Sequence, residues 1–391
     1  MATLKPGAAL RTPATATRVE WLDGVRALAA LFVVVHHVWL LSVGGYPGNN
    51  GPWTMDWMVY GHLAVSVFIV VSGFSLTLSP ARHEGRLPEG GLGFLRRRFW
   101  RIVPPYWAAL AFSSVLVVVG LASTPTGGAL TSRDVLVHGL LLQDAIGTTP
   151  PNGVFWSIAV EWHIYFLFPL VLLLVRRWGA AVVLGVATAL VIAQHLIGAV
   201  IPAVGWFDRF SPAYFVLFVG GSVAAQLATR GAGASAGIVL GALCVAGFAT
   251  AAGVAGPRTI VGEYFWVDLV VGAATACLFV ALTQGRLPWL ARFLALRPLA
   301  AVGTFAFSLY LVHAPILDVL RERVLAPAGV TGANAFWPLM LLGVPAALAG
   351  AYAFFVVCER PFLRIRSFRQ LWDAVRQLAV PWRRTRAGGT P

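Results

Sequence analysis

The stretch that decides the fold is Trp21–Val43, which reads WLDGVRALAALFVVVHHVWLLSV. It is long enough for one membrane crossing, because a helix of ~20 apolar residues spans the hydrocarbon of a bilayer. The stretch nevertheless carries Arg26 near its start and two histidines, His36 and His37, in its middle. Ionisable side chains inside a membrane are costly and usually serve a function. The sequence therefore predicts a first transmembrane helix that also carries part of a functional site.

Helical geometry selects one of the two histidines as the partner of Arg26. Eleven residues advance an α-helix by about 1100°, roughly 20° past three full turns, so Arg26 and His37 share one stripe about 16 Å apart along the axis. His36 points about 100° away from that stripe, and its role stays open. A neutral imidazole can take a proton from a hydroxyl group. A structural histidine packed in the core is the alternative interpretation of His37.

The composition indicates an all-α, polytopic integral membrane protein. Of the 391 residues, 58% are hydrophobic and only 11% are charged, which lies outside the range of soluble globular proteins. The net charge of +14 comes from arginine clusters between apolar runs, a pattern of membrane topology, so we expect no nucleic-acid partner. Cys244, Cys277 and Cys358 fit no zinc or redox spacing. We therefore expect a lipid bilayer around the chain and no metal.

The apolar runs predict about ten transmembrane helices. We interpret the pair Pro104-Pro105 as a signal for the start of the third helix. The ten predicted spans lie near residues 22–43, 57–79, 104–123, 155–175, 179–198, 211–228, 235–256, 264–283, 299–318 and 336–358.

Arginine bias gives the predicted spans a direction across the membrane. Connections rich in arginine alternate with connections that have little positive charge, so we expect both termini on the cytoplasmic side of a multi-pass protein in the cell membrane. Three regions follow from this reading. They are a cytoplasmic N-terminal tail over residues 1–20, a transmembrane domain over 21–362 and a basic cytoplasmic tail over 363–391.

Two further motifs lie near the second and third spans. In FLRRRFWRIVPPYW, Arg97 and Arg101 are one helical turn apart and Arg98 lies between them, so their guanidinium groups can converge on a phosphate. Simple anchoring at the inner face of the membrane is the alternative. In VVSGFS, the pair Ser72-Gly73 is more typical of close helix packing than of a nucleophile.

The remaining polar candidates lie in the fourth span and near the end of the chain. Glu161 lies inside the fourth span, where a carboxylate needs a partner, and the opposite directions of the first and fourth helices would let it meet His37 near the middle of the membrane. Tyr310 and His313 lie in FSLYLVHAPI of the ninth span. Arg360 follows the tenth span at about the predicted level of Arg26.

The motifs together resemble those of a known family. LDGVRALAALFVVVHHV resembles the signature of membrane-bound acyltransferase family 3, the O-acyltransferases that modify glycans and related acceptors. The resemblance continues in order through IVVSGF, RRRFWRIVPPYW, FWSIAVEWHIYFLFPL, FSLYLVHAPI and ERP, and covers the chain from about Val19 to Phe362. After Glu161 the family usually has an acidic or amide residue and then a glutamine, where this chain has Trp162 and His163. We therefore expect the local hydrogen bonding after Glu161 to differ from that of the family.

The resemblance implies an enzyme that moves an acyl group, most simply acetyl, from cytoplasmic acyl-coenzyme A to a hydroxyl group. The acceptor would be a glycan, a lipid-linked glycan or a glycosylated small molecule. The implied site comprises His37 as general base with Glu161 and Arg26, donor-binding Arg97, Arg98, Arg101 and Arg360, and substrate-binding Ser72, Tyr310 and His313.

Two alternatives remain open from the sequence. Imidazole can also act as a nucleophile, so an acyl-histidine relay through His37 competes with general-base catalysis. A polytopic transporter or flippase is the competing class of protein. It would use Arg26, His37 and Glu161 as a substrate or proton pathway.

Overall fold

The computed structural model describes residues 19–365, 367, 369–372 and 376. Most of the two predicted cytoplasmic tails therefore lies outside the described residues. The described part of the chain is built from helices and contains no β-strand.

The first half of the chain forms six α-helices, and a short 3-10 helix over Trp53–Tyr60 precedes the second of them. These helices are α1 (Glu20–Ser42), α2 (Leu63–Arg82), α3 (Gly90–Val118), α4 (Ser132–Gly139), α5 (Phe155–Trp178) and α6 (Ala180–Gly198).

Six further helical elements follow in the second half, the last of which includes π-helical turns, and the short helical segments Pro202–Phe210 and Pro288–Leu294 lie before and between them. The six elements are α7 (Ala213–Thr229), α8 (Ala234–Gly262), α9 (Tyr264–Thr283), α10 (Arg297–Thr304), α11 (Ala306–Leu320) and the helical segment α12 (Gly332–Leu363).

The number of helices that can cross a membrane agrees with the prediction. Within the described residues, 8 helices are long and apolar enough, or up to 10 if each of two bent pairs forms one span. One pair joins the helical turns of Pro202–Phe210 to α7 at 50°, and the other joins α10 to the helix that begins at Ala306 at 74°. The all-α polytopic fold is confirmed. The bend between α10 and α11 falls inside the ninth predicted span, which is therefore not a single straight helix, whereas the sixth predicted span corresponds to α7.

The third predicted span is wrong at its start. We expected Pro104-Pro105 to mark a helix boundary, but α3 begins at Gly90 and both prolines lie inside it. Proline is tolerated within membrane helices because neighbouring groups can satisfy the freed backbone. As a result, Arg97, Arg98 and Arg101 project from a regular helix and not from a loop.

Glycines allow the central helices to approach closely. A Cβ atom on Gly73 of α2 would lie 2.0 Å from the carbonyl oxygen of Phe218 in α7, and one on Gly221 would lie 2.3 Å from the carbonyl oxygen of Val70. Small residues let membrane helices pack backbone to backbone in this way. The expected packing role of the Ser72-Gly73 pair therefore belongs to Gly73.

Helix α1 lies at the centre of the bundle. The helices differ in the share of an apolar 18-residue window that is buried inside the protein. This share is 56% in α1 and 67% in α2, but 0% in α8. Gly24 of α1 packs on the backbone of Leu294, and Gly303 of α10 packs on the backbone of Asp23. The helix that carries Arg26 and His37 is thus enclosed by protein.

A buried polar cluster joins α2, α7 and α9. Asp268 of α9 accepts a hydrogen bond from Ser66 Oγ at 2.5 Å and lies 3.1 Å from His62 Nε2. The Tyr214 hydroxyl of α7 is 2.7 Å from the same nitrogen. Asp268 is a charge inside an apolar run of the sequence, and the structure gives it partners on and beside another helix.

The connection between α4 and α5 contains a buried carboxyl group with an unsatisfied oxygen atom. Asp144 is only 8% exposed, and its Oδ2 has no hydrogen-bond partner among the described residues. Burial raises the pKa of Asp144 to about 7, although the charge of Arg209 opposes this increase. Arg209 Nε donates a hydrogen bond to the backbone carbonyl of Asp144 and not to its carboxylate.

We predict that Gly73→Ala destabilises the protein by roughly 1–3 kcal/mol, because the new methyl group would push α2 away from α7. Thermal unfolding of the purified protein in detergent measures this loss. Gly220→Ala is the matched control, since a Cβ atom at Gly220 of α7 meets nothing within 4 Å. Equal unfolding temperatures for the two variants would contradict the packing described here.

We predict that Asp144 makes the protein less stable as the pH rises. The pKa of Asp144 is raised in the folded state from 3.8 to about 7, so the fold favours the protonated form. Its contribution is complete at low pH and is lost between about pH 4 and pH 7. In Asp144→Asn this part of the pH dependence should disappear. Parallel curves of unfolding temperature against pH for the variant and the parent protein would exclude the effect.

Candidate active site

Six of the predicted site residues line one cavity of about 290 Å³ between α1, α2, α3, α5, α10, α11 and the end of α12. His37, His313, Arg97 and Arg360 do not line it. The six lining residues are Arg26, Ser72, Arg98, Arg101, Glu161 and Tyr310.

The cavity runs along α1 and α2, from the level of Arg26 toward the level of His37. Helices α1 and α2 are neighbours joined by residues 43–62, and His36 of α1 contacts Met58 and Gly61 just before α2 begins. The His37 end of α1 is therefore level with the start of α2, and the Arg26 end is level with its later turns. Cavity residues on α2 run from Val65 to Leu76, about 16 Å at 1.5 Å per residue. The cavity thus extends from the arginines toward the level of His37.

The arginines at the charged end are available to an anion. The guanidinium of Arg98 lies 5.7 Å from the ring centre of Phe94 and 6.0 Å from that of Tyr165, and its buried Nε has no hydrogen-bond partner among the described residues. Neither Arg98 nor Arg101 forms a salt bridge with another described residue, whereas Arg26 donates to Asp23 at 2.9 Å. Guanidinium groups without a carboxylate partner suit a phosphate, which they bind in a bidentate manner.

Glu161 lies in this cavity and not beside His37. Its carboxylate accepts a hydrogen bond from Tyr165, whose hydroxyl lies 2.8 Å from Ser72 Oγ. Among residues 19–365, no hydrogen bond joins Glu161 to His37. Sequence reasoning missed Tyr165, although its position four residues after Glu161 places the two side chains on one helix face.

Hydrogen bonds fix the ring of His37. Its Nδ1 lies 2.9 Å from the carbonyl oxygen of Val33, which can only accept, so in the neutral ring Nδ1 carries the hydrogen. His313 Nε2 lies 3.3 Å from the same Nδ1, and His313 Nδ1 is 2.9 Å from the carbonyl oxygen of Leu309. By the same reasoning, His313 Nε2 has a lone pair and can accept from His37. The lone pair of His37 then lies on Nε2, as a general base requires.

Tyr310 and His313 connect the cavity to His37. The Tyr310 ring, which lines the cavity, lies 6.1 Å from the His313 ring, and the His313 ring lies 4.8 Å from the His37 ring. His313 is completely buried, so the structure shows it as a partner of His37. We predicted His313 as a substrate-binding residue, and that role stays a prediction.

The last two predicted arginines lie elsewhere. Arg97 pairs with Glu89, and Arg360 is exposed. The neighbour of Arg360, Glu359, does line the cavity and accepts a hydrogen bond from Ser308. No group of three or more His, Cys, Asp or Glu side chains in the described part of the chain is arranged to hold a metal ion.

Comparison with known proteins gives several relatives. The acyltransferase MdmB of Streptomyces mycarofaciens is 28% identical over 388 residues, which cover 92% of this chain and 95% of MdmB. Nodulation protein 10 of Rhizobium leguminosarum bv. viciae is 29% identical over 192 residues, 44% of this chain and 50% of that protein. The peptidoglycan O-acetyltransferase OatA of Listeria monocytogenes serovar 1/2a is 25% identical over 173 residues, 41% of this chain and 25% of OatA. No solved structure matches the chain.

The family comparison covers most of the sequence. A family described as an acyltransferase domain matches residues 19–356, which include α1 to α11 and every cavity residue except Glu359. The resemblance to membrane-bound acyltransferase family 3 is thereby confirmed. The chain belongs to this acyltransferase family and is a multi-pass membrane O-acyltransferase.

Proposed function

We propose that the protein transfers an acyl group, most simply acetyl, from cytoplasmic acyl-coenzyme A to a hydroxyl group of a glycan or glycosylated acceptor. One observation carries this proposal. The cavity has three arginines at one end, and its other end approaches His37, whose Nε2 is free to accept a proton. Arginine-rich connections favour the cytoplasmic side of a membrane. The arginine end of the cavity would therefore face the cytoplasm, from which the proposed acyl-coenzyme A donor comes.

The charged end of the cavity suits the phosphates of the donor. Arg26, Arg98 and Arg101 supply three positive charges, and Glu161 and Glu359 supply two carboxylates that are held by hydroxyl groups. The proposed role of Glu161 is to fix Tyr165 beside the Arg98 guanidinium. Arg97 and Arg360 are left out of the donor site because neither lines the cavity.

The proposed reaction needs one proton carrier. His37 Nε2 takes the proton of the acceptor hydroxyl while the oxygen forms a bond to the thioester carbonyl carbon. The bond between carbon and sulfur then breaks, and the thiolate of coenzyme A receives the proton from His37. His313 and the Val33 carbonyl keep the hydrogen of His37 on Nδ1, so that Nε2 stays available.

The class of acceptor follows from the relatives. OatA of Listeria monocytogenes is named a peptidoglycan O-acetyltransferase, and YrhL of Bacillus subtilis a putative one. Both match only about 40% of this chain, whereas MdmB, named only as an acyltransferase, matches nearly all of it. A sugar hydroxyl is the acceptor chemistry that these names support.

We predict that His37→Ala lowers the rate of acyl transfer at least about 10²-fold, because a positioned general base contributes roughly 10²–10⁴-fold. The purified protein is incubated with labelled acetyl-coenzyme A and soluble peptidoglycan fragments, and free thiol and labelled glycan are measured. His83→Ala is the control, because His83 is exposed outside the cavity. Full transfer activity in His37→Ala would remove its catalytic role. Movement of a glycan across sealed vesicles without thiol release would instead favour a transporter.

We predict that Arg98→Ala and Arg101→Ala each raise the KM for acetyl-coenzyme A by roughly tenfold or more, because each loses a charge-assisted contact with phosphate. Initial rates at varied donor concentration measure the change. Arg96→Ala is a matched control, since Arg96 is exposed on the same helix and does not line the cavity. An equal KM for all three variants would reduce the two cavity arginines to topological anchors.

A further inference from the structure

The end of the cavity away from the arginines is walled by apolar side chains. Val65, Phe68 and Ile69 contribute from α2, Ile158 from α5 and Tyr310 from α11. Along α2, Val65 lies about two helical turns and Phe68 about one turn before Ser72, which contacts Tyr165 at the polar end, and Ile158 lies about one turn before Glu161 on α5. A ligand with a charged head at the arginines would therefore place its apolar part here.

The wall at this end is fixed in position. The ring centres of Phe68 and Tyr310 are 5.9 Å apart, with the ring planes at 76°. The Tyr310 hydroxyl lies 2.6 Å from Ser157 Oγ and donates to the carbonyl oxygen of Val154 at 3.2 Å. These two contacts hold the tyrosine ring, and the edge-to-face contact holds Phe68 against it.

The volume of the cavity restricts what fits between the arginines and this wall. About 290 Å³ is at the small end of the range for ligand sites, roughly 300–1,000 Å³. In the proposed reaction, the cavity must hold both the arm that carries the thioester and the acyl chain. Little room remains for the chain once the carbonyl group approaches the level of His313 and His37.

We propose that this apolar end is the acyl-binding pocket, and that Phe68 restricts the donor to a short acyl chain. The inference rests on the proposed use of acyl-coenzyme A and adds its chemical class. The thioester carbonyl lies toward His37, and the end of the acyl chain abuts the Phe68 ring. A chain longer than a few carbon atoms meets that ring and the immobilised Tyr310.

The test is a binding competition, which needs no acceptor. Acetyl-, butyryl-, hexanoyl- and octanoyl-coenzyme A compete with labelled acetyl-coenzyme A for the purified full-length protein, and free coenzyme A gives the reference. In the parent protein, hexanoyl-coenzyme A should bind at least about tenfold more weakly than acetyl-coenzyme A, because one misplaced methylene group in an apolar pocket already changes discrimination by roughly tenfold or more.

The Phe68→Ala variant should lower the ratio of the hexanoyl to the acetyl dissociation constant by about tenfold. Phe68→Leu should change it in the same direction by less, and it replaces the alanine variant if that protein does not fold. Val65→Phe should act in the opposite direction and weaken butyryl relative to acetyl binding. Phe112→Ala is the matched control, because Phe112 is 36% exposed and does not line the cavity.

The outcomes separate this inference from the proposed function. If acetyl-coenzyme A does not bind the parent protein, the proposed donor is wrong. If acetyl-coenzyme A binds but the ratio of the hexanoyl to the acetyl dissociation constant is the same in Phe68→Ala, Phe68→Leu and Phe112→Ala, the acyl pocket lies elsewhere. A parent protein that binds octanoyl- as tightly as acetyl-coenzyme A would also overturn the role of Phe68.

Discussion

An ionisable side chain inside a membrane protein must find a partner, and this requirement organises the core of the structure. His37 is held by Val33 and His313, Glu161 by Tyr165, and Asp268 by Ser66 and His62. The buried Nε of Arg98 has no such partner among the described residues. Because burial without a partner is costly, the unpaired Nε of Arg98 is a group that the proposed anionic donor would satisfy.

Neighbouring residues on α2 divide structural and chemical roles between two faces. Gly73 faces α7 so closely that no side chain fits, while Ser72 lines the cavity and contacts Tyr165. One residue step on a helix rotates the side chain by about 100°, which is enough to separate the two roles. The tight contact between α2 and α7 therefore fixes the cavity wall that Ser72 and Phe68 form.

Local periodicity predicted the fold and part of the site, because these depend on residues close together in sequence. The apolar runs gave about ten spans, and the spacing of Arg97, Arg98 and Arg101 indicated a common phosphate-binding surface, although Arg97 does not line the cavity. Pro104-Pro105 misled the prediction of α3, since the bundle tolerates proline within a helix. Contacts between distant helices were not predictable. His313 and His37 are 276 residues apart, and the pairing of Asp268 with Ser66 depends on how two helices rotate against each other.

The buried side chains between the cavity and His37 would also protect the thioester of the proposed donor from hydrolysis. Tyr310 is 6% exposed and His313 is completely buried, so two buried side chains lie between the cavity and His37. Exclusion of water protects a reactive group from side reactions and strengthens the electrostatic interactions around it. In the proposed reaction, the phosphates remain at the arginines while only the acyl end approaches His37. In that reaction the distance between Arg26 and His37, about 16 Å along α1, would separate donor binding from acyl transfer.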